Sequence, residues 1–178
     1  DADPKRPAGV SSTDEQLNQA KSIGNKVYVF MKNLGFNEPL TAMSGNGIHL
    51  LYKIRLRNSE ENKTLIKNCL LVLDMLFSND YVDIDKTNFN PARICKLYGT
   101  MARKGSNTPE NPHRMSHLLS EGSKEPTDKA YLEKLVAMLP VPEKPQKYNG
   151  YSPKKFDLEE WLIKYGIRYQ KTSYSDGT

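Results

Sequence analysis

Asp1 and Asp3 open the chain as an Asp-x-Asp pair. In an extended segment residues i and i+2 project to the same side, so both carboxylates can serve one hard divalent cation, although an isolated pair of this kind is also a common surface turn or helix cap. A second pair, Asp83 and Asp85, lies on the apolar stretch Tyr81 to Ile84, where an acid sits at a strand end or is simply solvated. Between the pairs comes Ser44-Gly45-Asn46-Gly47-Ile48-His49. Its backbone N–H groups, the Ser44 hydroxyl and the His49 ring suit a phosphate, as glycine-rich nests do. The rival reading makes His49 a surface imidazole, and the turn lacks the G-x-x-x-x-G-K pattern of a P-loop. Arg93, Lys96, Arg103, Lys104, His113 and Arg114 follow the second pair, interleaved with Ile94, Leu97 and Tyr98. Such a run is either a solvated face or a strand edge that grips a triphosphate or a template backbone.

These residues need elements to hold them. Ser12 and Glu15 have capping-box spacing, and Leu17, Ala20, Gly24, Val27, Met31 and Leu34 recur every three or four positions, which predicts a helix ending at Gly35. Pro39 to Met43 and Ile48 to Arg57 read as a hairpin around the glycine-rich turn. Its second strand has Ile48, Leu50, Tyr52, Ile54 and Leu56 on a core face, and His49, Leu51, Lys53, Arg55 and Arg57 on a wet, basic one. A second helix is predicted over Glu61 to Phe77, with Leu65, Cys69, Leu73 and Leu76 as its stripe, followed by a strand at Tyr81 to Asp85. Asn88 to Arg93 reads as a turn or short helix, and Ile94 to Thr100 as a strand running into a basic loop. Ser106 to Pro126 is expected to be mostly irregular. A third helix covers Thr127 to Leu139. The proline- and lysine-rich stretch 140–156 reads as a linker, and Asp157 to Tyr165 as a last helix closed by Gly166. Strands and helices mix without strict alternation, so the class is α+β with a small mixed or antiparallel sheet.

The 178 residues suffice for one ordinary domain plus a small appendage. A net charge of +5 favours polyanionic partners only weakly. Cys69 and Cys95 sit among apolar neighbours and read as buried, reduced thiols in a cytoplasmic protein. The longest apolar run, Leu70 to Phe77, is short and broken by Asp74, so nothing spans a bilayer, and the first residues are too polar for a signal peptide. The chain opens without an initiator Met and reads as a fragment.

Three stretches together, Asp1 to Glu15, Ser44 to Tyr52 (S-G-N-G-I-H-L-L-Y) and Ile84 to Gly105 (I-D-K-T-N-F-N-P-A-R-I-C-K-L-Y-G-T-M-A-R-K-G), resemble the archaeo-eukaryotic primase superfamily. The likeness is to the primase-polymerases of phages, plasmids and mobile elements, whose pattern is an acidic pair, a Ser-x-His-type signature and a hydrophobic-Asp motif on a core related to the RNA-recognition fold. It covers about Asp1 to Ser116. The resemblance implies that Asp1, Asp3 and Asp85 are catalytic, metal-binding acids for two Mg²⁺ or Mn²⁺ ions. It gives the incoming nucleotide to Ser44, Gly45, Gly47 and His49, assisted by Arg93, Lys96 and Arg103. Residues 1–139 would then be a catalytic domain lacking its N-terminal part, and residues 157–178 the start of a following module. A fragment of this kind should fold yet be weakly active.

The implied reaction is template-directed nucleotidyl transfer. Its partners are single-stranded DNA, an NTP or dNTP, and a replicative helicase, fused or separate. The alternative is a replication-initiator or single-strand-binding module that keeps the fold and does no chemistry. A nicking initiator fits worse, because it needs a His-x-His pair and none occurs.

Overall fold

The computed structural model describes residues 1–140 and 157–170. Asp1–Pro140 is one compact unit of mixed α and β structure. Its elements in order are β1 (Ala2–Pro4), α1 (Asp14–Leu34), β2 (Leu40–Met43), β3 (Ile48–Leu51), α2 (Glu60–Phe77), β4 (Val82–Ile84), β5 (Met101–Ala102), β6 (Arg114–Met115), β7 (His117–Ser120) and α3 (Lys129–Val136). Five strands form an antiparallel sheet in the order β4-β1-β3-β2-β7, while β5 and β6 pair separately. The shortest strand, β1, is therefore central, with β3 on one side and β4 on the other.

Helix α1 begins one residue later than its spacing predicted. Thr13 Oγ1 accepts the Gln16 N–H at 3.1 Å and Gln16 Oε1 accepts the Thr13 N–H at 3.0 Å. Ser12 is instead fully buried, its N–H donating to Asn46 Oδ1 at 2.8 Å. Each such cap contributes about 1 kcal/mol. At the far end Gly35 takes φ 100°, the left-handed conformation that lets Phe36 N–H reach Met31 O at 3.1 Å. The predicted stripe from Leu17 to Leu34 is buried, and α1 packs on β1 and β3 while α2 packs on β4, all on one face of the sheet. Helix and sheet approach closely at Gly24: a Cβ there would lie 2.9 Å from Ile48 Cγ2.

Several expectations are corrected. Strand β3 stops at Leu51, because beyond it the chain turns to Thr127, whose N–H donates to Lys53 O at 2.8 Å. The wet, basic strand face of Lys53, Arg55 and Arg57 does not form. Leu76 is exposed, since Phe77 takes the inward position with its ring 5.2 Å from Phe30. Ile94 to Thr100 is no strand: Ile94 is 92% exposed, no partner strand reaches it, and Gly99 turns the chain into β5 with φ 86°. Ser106 to Pro126 contains two strands, and β7 fills the outer edge of β2, a long-range pairing that the proline- and asparagine-rich composition concealed. The third helix is shorter than predicted, Lys129–Val136, with Asp128 as its cap. Cys69 is buried, but Cys95 is exposed because its segment has no sheet to cover it.

Residues 157–170 belong to a second unit. Helix α4 (Leu158–Lys164) is capped by Asp157, which accepts N–H groups from Glu159 and Glu160, and Gly166 follows it with φ 65°. The linker read at 140–156 lies almost wholly outside the described residues. Among those described, no helix is long and apolar enough to cross a membrane.

Candidate functional site

Strand alternation sets the site. Ala2, Ile48, Val82 and Ile84 point into the core beneath the helices, so their neighbours point to the opposite face. The register places Ala2 opposite both Ile48 and Ile84, and Asp3 opposite Asp83. One step back, Asp85 N–H donates to Asp1 O at 2.9 Å, so His49, Asp1 and Asp85 form a row across three strands. Gly47, Asp3 and Asp83 form the next row. A Cβ on Gly47 would overlap Ala2 O and come within 3.1 Å of Asp3 Oδ1, so only glycine lets β3 approach β1 here.

Each acid has its own surroundings. Asp1 Oδ2 lies 3.2 Å from His49 Nε2, while Asp1 Oδ1 is buried without a hydrogen-bond partner. Asp3 Oδ1 meets Arg6 Nη1 at 3.0 Å, and the Arg6 guanidinium is tied down by Pro4 O and Val10 O. Asp83 pairs with Lys5 at 3.3 Å on the surface. Asp85 Oδ1 accepts from Thr87 N–H at 2.7 Å and from its hydroxyl at 2.6 Å; Asp85 Oδ2 accepts from Asn88 Nδ2 at 2.9 Å, with Arg93 Nη2 at 3.7 Å. Burial works to raise the Asp85 carboxyl, but the Thr87 bonds, with Arg93, outweigh it and hold the group below the usual carboxylate range.

Burial pushes the His49 imidazole down to about 4. At neutral pH the ring is uncharged, and its contact with Asp1 is a hydrogen bond rather than an ion pair. The unfolded chain, with His49 near 6.5, takes up a proton between that value and about 4 that the folded chain refuses. Stability should therefore be unaffected by His49 above pH 6.5 and fall as the pH drops toward 4. Chemical denaturation at a series of pH values should give a shallower fall for His49→Gln; identical slopes for the two proteins would show that the ring is not held neutral.

Two hollows flank the acid row. One, of about 510 Å³, has Asp1, His49, Asp85, Arg93 and Lys96 at its rim and reaches past the end of β1 to residues of the helix side, among them Ile66, Leu70 and Leu73. The other, of about 460 Å³, is bounded by Asp1, Asp3, Asp83 and Asp85 together with Lys5, Arg6 and Lys104. Asp1 and Asp85 line both, so the row is the ridge between them.

The structure thus brings Asp1, His49, Asp85, Arg93 and Lys96 together, with Asp3 on the second hollow. It does not bring in Arg103, which lines neither hollow. The Ser44–Gly47 turn satisfies itself: Ser44 N–H donates to Gly47 O at 3.0 Å and Gly47 N–H to Ser44 Oγ at 3.0 Å. Ser44, Gly45 and Gly47 therefore form no open phosphate nest. Arg114 is likewise committed, donating to Ser12 O at 2.7 Å and Gly45 O at 3.4 Å and pairing with Asp14 at 2.6 Å. It clamps the turn that carries His49.

Sequence reasoning missed Lys5 and Arg6, whose adjacency to the Asp-x-Asp pair was the available signal. It also missed Tyr98, whose hydroxyl lies 2.7 Å from His49 Nδ1 and which had no signal at all. Among the described residues no group of three or more His, Cys, Asp or Glu side chains is gathered closely enough to hold a metal ion. The donor set nevertheless suits a hard cation, because it consists of carboxylate oxygens and one of them, Asp1 Oδ1, is buried and unpartnered. Comparison with protein-family models, with curated proteins and with solved structures gives no match.

Proposed function

We propose that this chain is the catalytic part of a metal-dependent, template-directed nucleotidyltransferase, a DNA primase-polymerase of the archaeo-eukaryotic type. The observation that carries the reading is the row of His49, Asp1 and Asp85 across β3, β1 and β4, with Asp3 beside it and Lys and Arg side chains on both flanks. Its setting supports it. The first six elements run β-α-β-β-α-β with strand order β4-β1-β3-β2, the arrangement shared by split-βαβ and RNA-recognition folds, with one sheet face left to ligands.

Asp1, Asp3 and Asp85 would hold Mg²⁺ or Mn²⁺, which supplies Lewis-acid activation of a 3′-hydroxyl and neutralises charge on the phosphates. His49, uncharged, offers a donor from Nε2 at the edge of the row. Arg93 and Lys96, at the first hollow, suit a triphosphate. Lys5 and Lys104, at the second hollow, suit the backbone of a template strand. Arg6 orients Asp3.

The protein incubated with single-stranded DNA, Mg²⁺ or Mn²⁺, and labelled NTPs or dNTPs in parallel should incorporate label into product, and a chelator should stop it. The Arg6–Asp3 and Arg93–Asp85 pairs favour the binding-only reading, since both acids already have cationic partners. Retention of single-stranded DNA with no incorporation under any metal and nucleotide would establish that reading instead.

A further inference from the structure

Tyr98 has no part in the reading above, yet its hydroxyl makes a short contact with the site. We propose that Tyr98 is a positioning residue that donates to His49 Nδ1 and thereby fixes the ring as the Nε2–H tautomer, aimed as a donor at the acid row. The functional part of this inference rests on the proposed nucleotidyl transfer; the geometric part does not.

A carboxylate oxygen only accepts hydrogen bonds. Asp1 Oδ2, at 3.2 Å, therefore requires the hydrogen on His49 Nε2. In an uncharged imidazole the other nitrogen then carries a lone pair, and the group facing it is the Tyr98 hydroxyl at 2.7 Å. Burial first, then the neighbouring Cys95, raise the phenol's pKa well above its ordinary value, so the hydroxyl keeps its proton. The rings meet edge to face, with centroids 5.8 Å apart at 69°. The opposite tautomer would turn a lone pair toward a carboxylate oxygen.

Tyr98 is also delivered from a fixed point. On its C-terminal side Gly99 N–H donates to Ser116 O at 2.7 Å and Ser116 N–H to Thr100 O at 2.9 Å, and Ser116 is fully buried. On its N-terminal side Ile94 and Leu97 are largely exposed. The backbone that follows Tyr98 is thus held by Ser116, while the hydroxyl also meets Cys95 in the segment that carries Arg93.

This arrangement matters once Asp1 is occupied elsewhere. A carboxylate that turns to a cation no longer dictates the tautomer of His49, and Tyr98 then holds it alone. His49 can then offer Nε2–H to a phosphate oxygen. Second-sphere donors of this kind fix ring orientation and tautomer in many sites.

The test uses the full chain labelled with ¹⁵N in histidine. In wild type the His49 Nδ1 resonance should lie upfield of an unbonded imine nitrogen, with the proton on Nε2. Tyr98→Phe keeps the ring contact and should move Nδ1 to the unbonded position. Asp1→Ala should retain the Nε2–H tautomer, whereas Asp1→Ala with Tyr98→Phe should show a tautomer mixture. An unbonded Nδ1 in wild type, which needs no variant to fold, or an unchanged Nδ1 in Tyr98→Phe, would overturn the proposal.

Kinetics test the functional part. Tyr98→Phe should raise the nucleotide KM about three- to tenfold, the worth of one hydrogen bond, with kcat little changed. A shifted Nδ1 with an unaltered KM would overturn the positioning role. If wild type itself incorporates nothing, the nucleotidyl-transfer reading fails while the Nδ1 result still decides the geometry.

Discussion

Asp85→Asn is expected to reduce nucleotide incorporation by at least about a hundredfold, the scale on which single electrostatic contributions to a transition state are lost, while single-stranded DNA retention at fixed salt changes by no more than about twofold. The two activities draw on different side chains. Incorporation needs the negative charge that Asp85 contributes beside Asp1, whereas retention draws on Lys5, Lys96 and Lys104 at the two hollows. Asparagine is chosen over alanine for a local reason. Asp85 Oδ1 accepts both the Thr87 N–H and the Thr87 hydroxyl, so alanine would release the segment leading to Arg93 as well as remove the charge. The amide oxygen of asparagine keeps those acceptor bonds. Filter binding at several salt concentrations beside a primer-extension assay measures both quantities on one preparation. Parallel loss of the two would count against a catalytic Asp85 and for a module that only binds.

Gly47→Ala should destabilise the fold by about 3 kcal/mol, the upper end of ordinary overpacking, and lower the melting temperature by roughly 10 °C. The added methyl would overlap Ala2 O, a backbone atom of the central strand, and crowd Asp3 Oδ1 at 3.1 Å. Neither can retreat easily. Ala2 is locked between Ile48 and Ile84 in the ladder, and Asp3 is held by Arg6. The lesion lies in the row next to the acid row, against Asp3, so cation binding should weaken along with stability. Gly9→Ala is the matched control for the site rather than for strain: its φ of 76° makes alanine unfavourable, yet no atom lies within 4 Å of the added methyl. A melting temperature for Gly47→Ala equal to that of wild type would show that β3 and β1 are not packed this closely.

Two kinds of information were unequally legible. Helix α1 was readable because its spacing from Leu17 to Leu34 is local, and Gly35 ends it by a conformation that only its own backbone requires. The capping box slipped by one residue for a tertiary reason: Ser12 is drawn down to Asn46, leaving the role to Thr13. Helix α2 and the turn at Ser44 to Gly47 were legible on the same local grounds. The purpose assigned to that turn was not, because composition shows that a loop is rich in glycine but not where its N–H groups are spent. Strand β7 was illegible, as its pairing with β2 joins residues far apart along the chain and its own segment shows no alternation.

By itself the sequence determined which side of a strand each acid occupies, since alternation is a property of the backbone and places Asp1 with Asp3 and Asp83 with Asp85. Only the tertiary structure decided that the two pairs lie side by side with His49, because cross-strand neighbours follow from register, and register is set by the burial of Ala2, Ile48 and Ile84 against α1 and α2. It alone set Tyr98 on His49 across 49 residues and turned Arg114 into a clamp instead of a free cation, because contacts of that range arise only once a core has chosen how its elements pack.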